Sequence, residues 1–212
     1  MCKKCLFLGM VLVLGGRVLA QNAKVLEFEV GYLNPKDIKG GMIYSGKYGL
    51  VVDERVDISL GLDFFHSSYT EETTVEFGET GRVGYETRVR ALDYSAYLLP
   101  LSINATVRFP LEPPLGLFAG AGFAYQFLFS KVKNYQEDLS ETQRFRGTGW
   151  IFRGGIEYSL GSRSSLIAEA FYDLGKVSRN LDKTPDGLPR WDEVNLGGFG
   201  FRGGLKVELY RY

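Results

Sequence analysis

The sequence has 212 residues, and its 25 lysines and arginines are balanced by 25 aspartates and glutamates, so it offers neither a basic nucleic-acid surface nor an acidic tail. Both cysteines, Cys2 and Cys5, lie in the first five residues, so no disulfide is expected in the rest of the chain. Many glycines and aromatic residues, with few methionines, favour an all-β fold over a helical one.

The N-terminal segment 1–20 predicts a cleaved signal peptide. It has a charged start at Lys3 and Lys4, an apolar middle and a small-residue cleavage site ending at Ala20. After cleavage, no apolar run approaches the roughly 20 residues of a membrane helix. We therefore predict that residues 21–212 form one β-barrel domain.

Stretches of alternating apolar and polar residues follow, each long enough to cross a hydrocarbon layer at a tilt. The predicted strands are residues 25–33, 42–52, 56–66, 91–109, 115–129, 147–160, 166–175 and 194–212. Pro100 lies inside the fourth strand, and because proline cannot donate a ladder hydrogen bond, we expect a β-bulge there.

The connections between these strands alternate in length. Residues 53–55, 110–114 and 161–165 are tight turns, whereas 67–90, 130–146 and 176–193 are long polar segments. This pattern predicts an eight-stranded antiparallel up-and-down transmembrane β-barrel with short periplasmic turns and long extracellular loops. Both chain termini would then be periplasmic.

Side-chain size indicates which face of the strands points outward. In the fifth strand one face carries Phe123, Tyr125 and Phe127, while the other carries Gly120 and Gly122. The interior of an eight-stranded barrel only just accommodates side chains, so the aromatic face would overpack it. A soluble lipocalin-like barrel would turn that face inward, and we therefore predict that it faces lipid.

Charged residues recur on the face assigned to the lumen, and charges enclosed there must pair or stay hydrated. The predicted network consists of Glu27, Glu29, Lys47, Asp57, Asp63, Arg153, Glu157, Glu169, Asp173 and Arg202. We expect Arg153 and Arg202 to pair with acidic neighbours such as Glu157 and Glu169, which would plug the lumen.

Aromatic residues also gather near the two ends of the predicted strands, where such rings mark the membrane interfaces. The predicted girdle consists of Tyr32, Tyr44, Tyr97, Phe127, Trp150 and Tyr172 on the loop side, with Phe109 and Tyr158 on the turn side.

Together the signal peptide, the strand pattern, the loop asymmetry and a last strand ending on Tyr212 resemble the small outer-membrane barrels of the OmpA-transmembrane, OmpX and OmpW type. The resemblance covers residues 21–212. It implies a location in the cell outer membrane, contact with outer-membrane lipids, and delivery to the barrel-assembly machinery through the C-terminal strand. Tyr210 and Tyr212 share phase with the inward Lys206 and Glu208, so the terminal pattern departs from that of the family.

Three functional hypotheses remain open. The first is a structural or adhesive barrel that binds an extracellular partner through its loops, where Trp191 stands out in a polar segment. The second is an OmpW-like passage for small apolar molecules, since Phe65, Phe118, Leu128 and Phe171 are assigned inward.

The third hypothesis is that the protein is a lipid A-modifying hydrolase. His66 and Ser68 resemble the His-x-Ser pair of the lipid A deacylase barrels, in which a histidine base activates a serine nucleophile. Tyr69 stands where that family has asparagine, and we expect no enzymatic activity. The sequence predicts no metal site, no cofactor and no nucleic-acid partner.

Overall fold

The computed structural model describes residues 24–53, 55–77, 85–134, 139–181, 188 and 190–209. The predicted signal peptide and the terminal residues Tyr210 to Tyr212 lie outside the described residues. The strands are β1 (Lys24–Pro35), β2 (Gly41–Asp53), β3 (Val56–Phe77), β4 (Tyr85–Pro110), β5 (Leu115–Asn134), β6 (Leu139–Ser159), β7 (Ser164–Asp173), β8 (Lys176–Leu181), β9 (Arg190–Asn195) and β10 (Gly198–Leu209).

These strands close into an antiparallel barrel. Strands β1 to β7 pair in chain order, β10 pairs with β7, and β1 pairs with β10 along its whole length. Because the ring is complete, the barrel has no sheet edge, and its backbone donors and acceptors are satisfied between neighbours. The predicted eight-stranded all-β barrel is confirmed, with β8 and β9 as an additional hairpin.

The hairpin β8–β9 continues the two barrel strands β7 and β10. Residues 174–175 separate β7 from β8, and residues 196–197 separate β9 from β10. The register is the same on both sides of the first break, since β6 pairs Ile151 with Asp173 and then Thr148 with Lys176. The barrel wall therefore continues beyond the breaks as the β8–β9 hairpin, with β8 still paired to β6.

The prediction that the three long polar segments are loops is wrong. Most of 67–90, 130–146 and 176–193 consists of β-hairpins that prolong the barrel strands. Exposed and half-buried polar residues predominate among the described side chains of these hairpins, so the apolar–polar alternation weakens although the backbone ladder continues. Threonine and tyrosine in these segments also favour the extended conformation.

The bulge predicted at Pro100 is also wrong. Strand β3 pairs Leu62 with Leu101 and then Phe65 with Leu98, so the register is unchanged across the proline. The missing N–H interrupts the ladder locally without requiring an extra residue. The register shift of this strand pair lies instead between Glu71 and Glu72.

The tight turns lie at one end of the barrel, as predicted, and the hairpin extensions lie at the other. Strand β1 begins opposite the end of β10, with Lys24 paired to Leu209, so both described chain ends lie on the tight-turn side. Within the described residues, no helix has the length and apolar character needed to cross a membrane.

Inside the barrel, two layers of side chains are stacked along the axis. We call the layer near the hairpin end the apolar layer. It consists of Leu33, Ile38, Ile43, Phe65, Ala96, Leu98, Ala124, Leu128, Phe145, Ile151, Phe171, Val177 and Leu196. The second layer lies toward the tight turns and contains the charged residues described next.

Candidate functional site in the barrel interior and on its outer belt

The charged layer combines five cations with seven carboxylates, each contributed by an inward position of a strand. Its members are Glu27, Glu29, Lys47, Asp57, Asp63, Arg108, Arg153, Glu157, Glu169, Arg202, Lys206 and Glu208. Strand alternation brings them together, since β1 contributes residues 27 and 29, and β10 contributes 202, 206 and 208.

Glu169 lies at the centre of this network, and its side chain is completely buried. It binds Arg202 at 2.6 Å, Arg153 at 3.4 Å and Lys47 at 3.5 Å. Three cations from three different strands thus converge on one carboxylate. The predicted pairing of Arg153 and Arg202 with Glu169 is present in the structure.

Glu157, the other acid predicted for Arg153 and Arg202, binds different cations. It accepts hydrogen bonds from Arg108 and from Lys206, the latter at 2.9 Å. Arg108 also binds Asp57 at 2.8 Å and Glu27 at 2.9 Å, so it joins three carboxylates. The predicted network did not include Arg108, which is its second centre.

Asp173, predicted as part of the charge network, is held by neutral donors. The amide of Gln126 donates to it at 2.6 Å, and the backbone N–H of Gly175 donates at 2.7 Å. Gly175 approaches so closely that a Cβ there would lie 2.0 Å from Oε1 of Gln126. This cluster of Asp173, Gln126 and Gly175 lies beside the break between β7 and β8.

Two aromatic rings contact arginines of the charged layer. The guanidinium of Arg202 lies 4.1 Å from the ring centre of Phe171, and that of Arg153 lies 5.9 Å from Phe118. Cations attract the faces of such rings, so each arginine is held between carboxylates and an aromatic surface. The apolar residues above complete the filling, with Phe65, Leu98 and Leu128 at most 1% exposed.

The apolar layer is the part of the interior that the charge-based prediction missed. Its residues occupy inward phase in the sequence, and Phe65, Phe171 and Leu128 had been assigned inward individually. The strand pattern did not show that these residues lie at one level of the barrel. Adding the strand register to the phase would have shown the layer.

The outer surface carries a belt of exposed apolar side chains, among them Leu60, Leu101 and Ile156. Of the predicted girdle residues, Tyr32, Tyr44, Tyr97, Phe109, Trp150, Tyr158 and Tyr172 are exposed on this surface, and Phe127 is half-buried. An exposed apolar belt of this kind has no favourable contact with water, and it fits the hydrocarbon region of a bilayer.

His66 and Ser68 lie on the outer surface where β3 leaves the apolar belt. The ring of His66 is half-buried and stacks on Tyr97, with ring centres 4.8 Å apart and an interplanar angle of 28°. Ser68 is exposed and lies opposite Ser95 in the ladder. Among the described residues, no group of three acidic, histidine or cysteine side chains could hold a metal ion.

The closed eight-stranded barrel, its filled interior and its apolar outer belt place this protein in the class of small outer-membrane β-barrel proteins. An outer membrane is accordingly where this protein resides.

Solved structures of this class share the fold. The outer membrane protein OprG from Pseudomonas aeruginosa matches with a TM-score of 0.60 at 11% identity, over 90% of this chain and 97% of that chain. A major outer membrane protein from Thermus thermophilus matches with a TM-score of 0.54 at 14% identity, over 89% and 99% of the two chains. Neisserial surface protein A matches with a TM-score of 0.52 at 13% identity, over 87% and 96%.

No protein-family model matches the sequence, and no curated protein matches it. The likeness to the solved structures extends to the fold alone.

Proposed function

We propose that this outer-membrane barrel is a structural protein with a closed lumen, whose hairpin extensions carry interactions at the cell surface. The observation that carries the first part is the filling of the interior at two successive levels. The charged layer closes the barrel with ion pairs, and the apolar layer closes it again with side chains such as Phe65 and Leu98.

The two layers resist opening for different reasons. An ion crossing the charged layer would have to separate pairs such as Arg202–Glu169, whose side chains are at most 2% exposed. An ion crossing the apolar layer would have to give up most of its hydration among apolar side chains, where Asp173 and Gln126 are the buried polar groups named above. Each layer alone would oppose ion flow of the kind that an open porin conducts.

Planar-bilayer recording tests the closed lumen. We expect the purified, folded protein to give no stable current steps of porin size, while a general diffusion porin reconstituted in the same lipids supplies the positive control. Stable ohmic steps from the purified protein would overturn the proposal. Heat-dependent migration on gels would establish in parallel that the reconstituted protein is folded.

The second part of the proposal concerns the hairpin β8–β9. Leu188 and Trp191 are each 62% exposed at its outer end, so two large apolar side chains are presented beyond the lipid belt. Aromatic residues exposed on a polar hairpin are frequent contact residues in interfaces. Such a contact would make the protein adhesive.

Adhesion can be measured with non-adherent bacteria that display the protein, in wells coated with fibronectin, laminin or collagen. We expect Trp191→Ala to reduce the number of retained cells at equal surface expression. Tyr158→Ala is the matched control, because it removes an exposed aromatic side chain at the opposite end of the barrel. Equal retention with and without the displayed protein would refute an adhesive role for these coatings.

A passage for small apolar molecules is the second candidate, and the apolar layer is the observation that favours it. Apolar solutes would find compatible side chains between Phe65 and Leu128, but these residues would have to move apart. Uptake of a fluorescent alkane analogue into protein-containing vesicles, compared with protein-free vesicles, distinguishes this candidate from the closed barrel.

Our proposal includes no enzymatic reaction. The ring of His66 packs against Tyr97, where an interfacial aromatic contact accounts for its position. Cells expressing the protein or its Ser68→Ala variant are expected to contain identical lipid A. A change in lipid A acylation that depends on Ser68 would support the hydrolase instead.

A further inference from the structure

Four cationic side chains share one area of the outer surface. Lys131 and Lys133 come from β5, and Arg144 and Arg146 come from β6, which pairs with it. All four are exposed, while the adjacent Ser130 and Phe145 point into the barrel and are buried. We call this area, Lys131, Lys133, Arg144 and Arg146, the basic face.

The basic face begins directly beyond the aromatic residues of the outer belt. Across the β5–β6 ladder, Arg146 lies opposite Phe127, and Arg144 lies opposite Phe129. Trp150 is on the same side of β6, four residues closer to the tight-turn end. Since aromatic rings of this kind mark the membrane interface, the two guanidinium groups lie at the level of lipid headgroups.

Among the residues that the structure describes, little negative charge compensates the basic face. Other cations at this end of the barrel have acidic partners, for example Lys176 with Glu193 at 2.8 Å and Arg179 with Asp192 at 2.9 Å. In the part of the chain that the structure describes, no ion pair joins the four basic side chains to an acid. Asp93 lies opposite Lys133 in the ladder and accepts a hydrogen bond from Thr70 at 2.7 Å.

Two open grooves flank the basic face. One, of about 840 Å³, has an aromatic floor that includes Phe127 and Phe129, with Arg144 and Arg146 along its side. The other, of about 340 Å³, lies on the opposite side of β5 and is lined by Lys131 and Lys133 together with hydroxyl groups and the carboxylate of Asp93. Each groove thus places cationic or hydroxyl donors beside apolar surface.

We propose that the basic face binds the phosphorylated headgroup of an outer-leaflet lipid. The planar guanidinium groups of Arg144 and Arg146 would hold phosphate oxygens through paired N–H donors, with the two lysines adding charge at the rim. The acyl chains of the same lipid would lie along Phe127 and Phe129. A soluble anion would use the charges but would leave that aromatic surface uncovered.

The proposal is tested by native mass spectrometry of the detergent-solubilised protein titrated with bisphosphorylated lipid A. The test variant is Arg144→Gln/Arg146→Gln, and the control is Lys36→Gln/Lys39→Gln, which removes the same charge from the β1–β2 connection. We expect the test variant to bind about tenfold more weakly, since charge-assisted phosphate contacts are lost, and the control to bind as the unmodified protein does. Arg144→Lys/Arg146→Lys should recover part of the loss.

Three outcomes would overturn the proposal. Equal binding of dephosphorylated lipid A would remove the role of phosphate, and undiminished binding by the test variant would remove the role of the two arginines. Displacement of the lipid by millimolar inorganic phosphate would identify a site for the free anion. If the test variant does not fold, Lys131→Gln/Lys133→Gln is compared with the same control and is expected to bind more weakly.

Discussion

Replacing Glu169 with glutamine is expected to destabilise the folded barrel by about 3 kcal/mol, because it removes the carboxylate on which three buried cations converge. Glutamine keeps the size of the side chain and can still accept one hydrogen bond from Arg202. The substitution therefore removes negative charge from the charged layer while leaving its volume almost unchanged.

The ion pairs that remain in the Glu169→Gln variant determine the size of the expected loss of stability. Arg202 keeps Asp63 at 3.2 Å, Arg153 keeps Glu27 at 3.3 Å, and Lys47 keeps Glu29 at 2.6 Å. Removing one partner of a buried ion pair costs roughly 3–5 kcal/mol. Since each cation retains a carboxylate, we place the expected loss at the lower end of that range.

The free energy of unfolding can be measured by urea titration of the protein in lipid vesicles, following tryptophan fluorescence. Glu193→Gln is the matched control, because its partner Lys176 and Glu193 itself are both about half exposed, and such pairs contribute about 0–1 kcal/mol. A loss for Glu169→Gln no larger than that of the control would refute the argument that buried ion pairing stabilises the interior.

Two further substitutions test the interior and the outer surface separately. Phe65→Ala should cost about 3–5 kcal/mol of folding stability, because Phe65 is fully buried in the apolar layer. Phe64→Ala, at the neighbouring outward position, should cost about 1 kcal/mol. Equal losses in the same urea titration would contradict the assignment of faces. Leu60→Arg should cost about 2–4 kcal/mol, since Leu60 lies on the belt opposite Tyr48, near the middle of β2, while Leu111→Arg in a tight turn should cost about 0–1 kcal/mol. Failure of Leu60→Arg to impair vesicle insertion or stability would argue against lipid contact at that level.

The barrel could be predicted from the sequence because its determinants are local. Alternation with period two defined the strands, and the contrast between Phe123 and Gly122 along β5 defined their faces. The hairpin extensions were missed for the same reason, because few of their residues are apolar and the period-two pattern is weak there. The Lys176–Leu181 strand is stabilised by its ladder with β6 and β9, which a local pattern cannot show.

The interior pairings depend on the register between strands that are distant in sequence. Arg108 and Glu27 are 81 residues apart, and nothing in either local sequence selects one as the partner of the other. Glu157 lies in the charged layer as expected, but it binds Arg108 and Lys206. Asp173 accepts a hydrogen bond from Gln126. The sequence therefore predicted that the inner face is charged but could not determine which charges meet.

The location of Trp150 gives the most direct test of a membrane barrel with its aromatic face outward. The sequence contains two tryptophans, so Trp191→Phe leaves Trp150 as the only one. In vesicles, Trp150 fluorescence should be quenched by lipids brominated on the acyl chains and should be protected from aqueous iodide, because this residue is 53% exposed on the outer belt. Strong iodide quenching together with no effect of brominated lipid would contradict the account.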